Sequence, residues 1–450
     1  MRIVFLGLAG LHVIAFILFV AMDGQYYSDD SALYLELAKN LIEQHRFVSP
    51  SDSGKLVPEV FRTPGYPLFL APFVALNLNF YWIAGAQELI YLLAVGLFWQ
   101  YGRVLLGERM TRLGVVFLLL EPGGFAYPKL ILSETVFLFF FVSGFLALGH
   151  YLHRKRLVLI VLAGVLFGLG AWVRPAILYF PVAVALVLLF LARRDRRYWR
   201  HAAVFLFCFV LIIAPWLYRN HQQFGRFFMT GQQSNMFANY HVPIVWEAVK
   251  GIPFWQAQEQ MRQKVRAAAQ KQAEQQDRPL SRVEYFDLQQ KRAVQELLHY
   301  PAAYLQQWLF GILKTMNGVN LTELYHNFHY RENRLHYFDV AATNFFERVW
   351  IFITNQDKPV LILVLFRVVI SALALLGVFF IVARKNVFLW LLLLANFYFI
   401  CLPGPMGYSR FRFPVEVFWF AQAVLGYCWL LIKTGEKTNC NFLNDSNANT

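Results

Sequence analysis

Charge is scarce in this chain. Asp, Glu, Lys and Arg make up 15% of its 450 residues, against 58% hydrophobic residues. A soluble protein of this length needs far more polar surface, so a soluble globular class is excluded. Alternating period-2 patterning is missing as well, which excludes a transmembrane barrel and leaves helices as the spanning element. Cysteine is nearly absent: there are four. Cys208, Cys401 and Cys428 lie in apolar runs, Cys440 lies in the polar tail, and no pair has metal-ligand spacing, so a disulfide framework and a cysteine metal site are excluded. No small-x-small cleavage site follows the first apolar run, which therefore reads as a retained helix rather than a secretory signal. No short internal repeat is visible, and neither are the two related halves that a secondary transporter would show.

What is present is apolar length. Runs of about 20 residues, enough to cross hydrocarbon as helix, recur along the sequence. The formal net charge is +14. The basic residues gather in short loops between apolar runs, as the positive-inside bias predicts, so nucleic acid is not the expected partner. The clusters at 154–156, 193–197 and 384–385 orient the chain with both termini in the cytoplasm. The fold class expected is an all-α polytopic membrane protein with about ten transmembrane helices, at 3–22, 82–106, 113–127, 131–150, 157–173, 175–192, 201–218, 359–383, 387–403 and 415–432. Four parts follow from this. Residues 1–218 form an N-terminal membrane module whose first outer loop, 23–80, contains amphipathic interfacial segments. Residues 219–357 form a polar, helical extracytoplasmic region. Residues 358–433 form a second membrane module, and 434–450 a disordered cytoplasmic tail. Within the outer region, Ser281 and Glu284 have capping-box spacing and open a helix that ends before Pro301.

The first outer loop concentrates the chemistry. Asp29 and Asp30 stand at the exit of the first helix, and Tyr34, Leu33, Leu37 and Leu41 follow at helical spacing. Two roles are open to Asp30: an N-cap, worth about 1 kcal/mol, or a general base held at the membrane surface. Arg62 precedes Thr63-Pro64-Gly65-Tyr66-Pro67, and is either an interfacial arginine snorkelling toward headgroups or an anion clamp. The same topology puts Lys129, Glu134, Arg174, Arg219, Arg410 and Arg412 on the outer side. Arginines placed against the positive-inside bias need another cause, and binding an anion at the outer leaflet supplies one. His12, Glu88 and Arg367 lie within spans, where ionisable groups are functional or pair structurally.

At these residues the chain resembles the membrane glycosyltransferases of the GT-C fold, in the branch of the protein O-mannosyltransferases and the aminoarabinose transferase of lipid A. The resemblance is carried in order by Asp30 four residues before Tyr34, Arg62 before Pro64-Gly65-Tyr66-Pro67, Ser133-Glu134, and Arg174-Pro175. Pro215-Trp216 with Arg219-Asn220 and Phe224-Gly225 comes next, and Arg410-Phe411-Arg412-Phe413-Pro414 last. Two departures stand out. The family's Asp-Glu pair is Asp29-Asp30 here, and the chain lacks a large C-terminal soluble domain, so acceptor recognition must differ from members that have one. The resemblance implies a donor sugar on a polyprenyl phosphate and an inverting displacement on the extracytoplasmic face of the plasma (inner) membrane. Asp30 would be the base, and Arg62, Arg174, Arg410 and Arg412 would hold the donor phosphate. Asp29, Tyr34, Tyr66, Lys129, Glu134 and Arg219 would support them. The acceptor is unidentified. No cofactor is required, no metal ligand is assigned, and Asp29 with Glu134 leaves a divalent metal open. The rival readings are a polymerase or ligase of lipid-linked polysaccharide and, further off, a transporter.

Overall fold

The computed structural model describes residues 2–28, 30–50, 54–320, 323–324, 327–328, 354 and 358–434. Asp29, most of the expected outer region after 320, and the tail beyond 434 lie outside the described residues.

The protein is an all-α polytopic membrane protein. Among the described residues, six helices are long and apolar enough to cross a membrane: Ile3–Ala21, Phe80–Leu106, Glu134–Arg154, Arg197–Phe224, Val360–Arg384 and Phe413–Lys433. Shorter apolar helices cover Leu157–Val173, Pro175–Leu191 and Val387–Cys401. Each of the ten segments expected from sequence thus coincides with helix, although not all reach spanning length.

The elements are α1 (Arg2–Ala21), α2 (Ser31–Glu43), α3 (Gly65–Ala75), α4 (Phe80–Leu106), α5 (Glu108–Leu120), α6 (Pro122–Ala126), α7 (Glu134–Arg154) and α8 (Leu157–Val173). They continue with α9 (Phe180–Leu191), α10 (Arg197–Phe224), α11 (Gln232–Met236), α12 (Val242–Lys250), α13 (Phe254–Gln276), α14 (Arg282–His299) and α15 (Pro301–Asn317). Helices Lys358–Arg384, Val387–Cys401 and Glu416–Lys433 close the described chain.

Local chemistry explains where the helices break. The segment expected at 113–127 is interrupted because Glu121 precedes Pro122, which lacks an amide N–H and drives the preceding residue out of the helical region. Glu121 is extended, at φ −71° and ψ 130°, and its carboxylate accepts from the Gly124 amide to start α6. The segment at 175–192 opens instead as a 3-10 turn, Pro175–Ile177, before α9 begins. One element was not expected: strands β1 (Val48–Pro50) and β2 (Leu56–Pro58) form a small antiparallel hairpin in the first loop, with Val48 opposite Pro58. Asn40 at the end of α2 fastens it by donating to the Val48 carbonyl at 2.9 Å. The capping box at Ser281 and Glu284 is present.

α7 is the hub. Its apolar window is 78% buried, against 11% for α1, which lies at the periphery. Phe141 sits among the rings of Phe137, Phe145, Phe167, Phe180, Phe399 and Phe418, with centroids between 4.9 and 6.2 Å away. Such pairs contribute about 0.5–1.5 kcal/mol each beyond their buried area. They join five elements, α7, α8, α9 and the helices Val387–Cys401 and Glu416–Lys433, and hold the N-terminal end of α7, where Glu134 lies, in a fixed place.

Several buried charges are paired. His12 Nδ1 meets Glu88 Oε1 at 2.8 Å, and Lys129 Nζ meets Glu88 Oε2 at 3.0 Å. Farther along, Arg367 bridges Glu121 at 2.8 Å and Glu416, and Arg412 reaches Glu416 at 2.7 Å. Breaking such a pair strands a charge in low dielectric, which destabilises by about 3–5 kcal/mol. These are structural pairings of intramembrane ionisable groups.

Candidate active site

Asp30 occupies the N-cap position of α2, but its side chain makes no capping hydrogen bond. The carboxylate turns instead to two guanidiniums: Oδ1 pairs with Arg62, and Oδ2 lies 3.1 Å from Arg410. Ser31 anchors the helix start in its place, accepting from the Ser28 amide at 2.9 Å and donating to the Ile131 carbonyl at 2.9 Å. The capping role left open by the sequence is therefore not the one Asp30 fills.

Arg62 is delivered by a loop that the sequence does not advertise. Glu59 is 1% exposed and accepts from the Phe61 amide at 2.6 Å, the Arg62 amide at 3.1 Å and Ser49 Oγ at 2.5 Å. Thr230 Oγ1 donates to the Phe61 carbonyl at 2.6 Å and ties that loop to the chain beyond α10. The guanidinium of Arg62 rests 5.3 Å from the Tyr34 ring centroid, a cation–π contact. Tyr34 is held edge-on to Tyr66 at 4.8 Å, and Tyr66 donates to Gln87 at 2.8 Å. Tyr66 is thus a support behind Tyr34, fully buried and outside the cavity wall.

Close approach of α3 to α8 brings Arg62 to Arg174. A Cβ at Gly65 would stand 2.5 Å from the Trp172 carbonyl carbon and 2.7 Å from the Val173 nitrogen, both backbone atoms, so only glycine fits. Arg174, extended between α8 and the 3-10 turn, pairs with Glu134 and lies 5.7 Å from the Phe411 ring. Glu134, with no side-chain exposure, also receives Arg410 on the same oxygen. Its second oxygen has no hydrogen-bond partner among the described residues.

Five charged side chains therefore converge from five places in the chain. Three guanidiniums (Arg62, Arg174, Arg410) face two carboxylates (Asp30, Glu134), leaving one positive charge in excess. Burial pushes the Asp30 pKa up, but Arg62, and after it Arg410, pull it down further, and the carboxyl sits below its usual range.

Four of these side chains, Asp30, Arg62, Arg174 and Arg410, line one end of a cavity of about 1170 Å³, and Glu134 is buried behind them. One wall is apolar, made by Leu178, Tyr179, Ile213, Leu217, Phe227 and Phe228, where α9 begins and α10 ends. Another is polar, made by the segment after α10 together with α15.

Lys129, Arg219 and Arg412, expected at the site, are elsewhere, each held by other partners. Arg412 is fully buried and does not line the cavity; besides Glu416 it donates to the carbonyls of Thr315, Met316 and Gly318, the last at 2.8 Å. Lys129 is committed to Glu88 and to the Phe125 carbonyl at 2.8 Å. Arg219 donates to the carbonyls of Glu59 and Phe47, each at 2.8 Å, with Trp216 at 4.8 Å on its guanidinium, and so clamps the first loop onto α10. All three belong to the frame rather than to the cavity. Asp29 lies outside the described residues. Among the described residues no group of three or more His, Cys, Asp or Glu side chains is placed to hold a metal ion.

Comparison with known proteins adds one family and two structures. Residues 62–218 match the family described as dolichyl-phosphate-mannose-protein mannosyltransferase. No curated protein matches the chain. Among solved structures, the crystal structure of ArnT from Cupriavidus metallidurans bound to undecaprenyl phosphate is 14% identical, with a TM-score of 0.42, over 93% of this chain and 77% of that one. The apo crystal structure of the same protein is 13% identical at a TM-score of 0.39, with the same coverage. Likeness at that level assigns no activity. The matched segment starts at Arg62, contains Glu134 and Arg174, and ends at Tyr218 within α10. Over that segment the chain is similar to a family of membrane mannosyltransferases, and its resemblance to the GT-C membrane glycosyltransferases stands.

Proposed function

We propose that this protein transfers a sugar from a polyprenyl-phosphate-linked donor to an extracytoplasmic acceptor, with Asp30 as general base. The observation that carries the reading is the placement of Asp30 between Arg62 and Arg410 at the head of a cavity that also has an apolar wall. A lipid phosphate needs both features. The prenyl chain takes the apolar wall, and the phosphate takes the guanidiniums, whose forked donors suit its oxygens. The family matched over residues 62–218 carries a polyprenyl-phosphate sugar in its description, which supports the same donor class.

The chemistry is a single displacement. The acceptor oxygen forms a bond to the anomeric carbon while the bond from that carbon to the phosphate oxygen breaks. The acceptor proton passes to Asp30, and polyprenyl phosphate leaves with its added negative charge held by Arg62, Arg174 and Arg410. Attack opposite the leaving phosphate inverts the anomeric configuration. The resting ion pairs prepare this exchange: a phosphate entering among the arginines replaces Asp30 as partner of Arg62 and Arg410 and frees its carboxylate to accept a proton. Glu134 keeps Arg174 and Arg410 side by side throughout.

The test is Asp30→Asn in the full chain in native membranes, which supply the acceptor, with dolichyl-phosphate mannose and undecaprenyl-phosphate mannose as donor probes and release of polyprenyl phosphate as the readout. The variant is expected to fold, to bind donor, and to release none, whereas Asp29→Asn only slows release. Normal turnover by folded Asp30→Asn would remove the base from the mechanism.

A further inference from the structure

The polar wall of the cavity has a composition of its own. It is built on α11 and on the π-helical turn Phe237–His241 that continues it. Such turns are rare and are frequently found at functional sites. Gln232, Gln233, Asn235 and Tyr240 come from this stretch, and Tyr304 and Trp308 face them from α15. Trp308 is fixed, donating from Nε1 to the Cys401 carbonyl at 3.1 Å. The Gln232 backbone amide is used by Thr230 at 3.0 Å, but the side-chain amides of Gln232 and Gln233 engage no other described residue.

Charge divides the cavity. Among the described residues lining it, the permanent cations are Arg62, Arg174 and Arg410, all in the Asp30 cluster. His241 is held neutral, its pKa pushed down to about 4 by burial despite an opposing contact with the Pro403 carbonyl. Glu323, which accepts from Tyr408 at 2.5 Å, adds negative charge to the lining rather than positive. An anionic headgroup on this wall would find no cation. Amide groups paired with fixed aromatic rings suit a ring that bears hydroxyls on its edge and C–H bonds on its faces.

We infer that the wall formed by Gln232, Gln233, Asn235, Tyr240, Tyr304 and Trp308 is the acceptor subsite, and that it takes an uncharged, hydroxyl-rich glycan. The inference rests on the donor reading above and names the acceptor class for the same cavity. An acceptor hydroxyl carried there is the oxygen that gives its proton to Asp30.

The experiment uses the full chain in lipid nanodiscs with two sets of probes. Farnesyl phosphate reports the donor end. A panel of mannose, glucose, galactose and N-acetylglucosamine oligosaccharides, each with its phosphorylated or uronate counterpart, reports the acceptor end. Neutral members are expected to bind, and to bind still when farnesyl phosphate is saturating. Gln232→Leu combined with Gln233→Leu should weaken them about tenfold, the effect of one lost hydrogen bond, while farnesyl phosphate affinity stays within twofold. Gln233→Leu alone, at an exposed position, provides a variant whose folding is not at risk, and should weaken them in the same direction. The inference is overturned if only phosphorylated or uronate members bind, if none binds, if farnesyl phosphate displaces the glycan, or if the Leu variants bind as wild type. Failure of farnesyl phosphate itself to bind, or binding that Arg62→Ala leaves untouched, overturns the donor reading instead.

Discussion

Asp30 stands where a helix cap belongs and does not cap. Its carboxylate pairs with Arg62 and Arg410, and this choice has consequences at two residues. A carboxyl held below its ordinary pKa remains ionised as pH falls, so the base form persists in mild acid. The acid limb of kcat/KM for the free enzyme should therefore fall below pH about 4, the unperturbed Asp value. Arg62→Ala removes the strongest of the two attractions while burial remains, so the limb should move up in pH. A limb that stays in place in Arg62→Ala would show that another group titrates. Arg62 also divides charge from geometry. Arg62→Lys retains a cation that attracts phosphate but loses the planar fork, so donor binding should survive in part while turnover drops. Arg62→Ala should lose both. A fall of about 100-fold corresponds to about 2.7 kcal/mol of transition-state stabilisation, in the range for one lost charge-stabilising donor. Arg193→Ala, at the end of the bundle that carries the basic loops, is the control and should leave turnover per folded molecule unchanged.

At the level of elements, α3 and α8 meet through Gly65, and this contact sets Arg62 beside Arg174. Gly65→Ala puts a methyl group into the Trp172–Val173 backbone, which cannot rotate away. We expect destabilisation of about 1–3 kcal/mol, seen as a lower Tm in detergent, and a loss of turnover larger than the loss of folded protein. Gly96→Ala, where nothing lies within 4 Å, should change neither. The same contact shows which parts of the site were legible in sequence and which were not. Asp30, Arg62, Arg174, Glu134 and Arg410 could be singled out because ionisable groups at membrane edges are rare and each needs a cause. Arg412, two residues from Arg410, has the same signature yet points into the Glu416 and Glu121 network. The 3-10 turns Ser409–Phe411 and Phe413–Val415 set these directions, and loose Arg-x-Arg spacing does not encode them. Glu59 escaped notice because its work is local, accepting two amides of its own loop. The polar wall escaped because its residues are ordinary amides and aromatics, made into a surface only by the π-helical turn.

For the whole molecule, connectivity turns the local geometry into a statement about sides. α7 begins at Glu134 and ends at Arg154, and α8 begins at Leu157 and ends beside Arg174. The charged cluster thus lies at one end of this pair and the basic residues 154–156 at the other. α9 runs from near Arg174 to the basic loop 193–197, so that cluster joins residues 154–156 at the far end. We propose from the positive-inside bias that the basic end is cytoplasmic and that the Asp30 cavity and the polar helices α13 and α14 are on the outer face. A single reporter tests this. Gln275 is exposed near the end of α13, away from the cavity wall. Gln275→Cys, in a chain whose four native cysteines are replaced by Ser, should react in intact cells with a membrane-impermeant maleimide. A cysteine placed at Arg194, in the basic loop, should react only after lysis. The reversed pattern would move the cavity to the cytoplasmic face, where a donor and acceptor presented outside never reach Asp30.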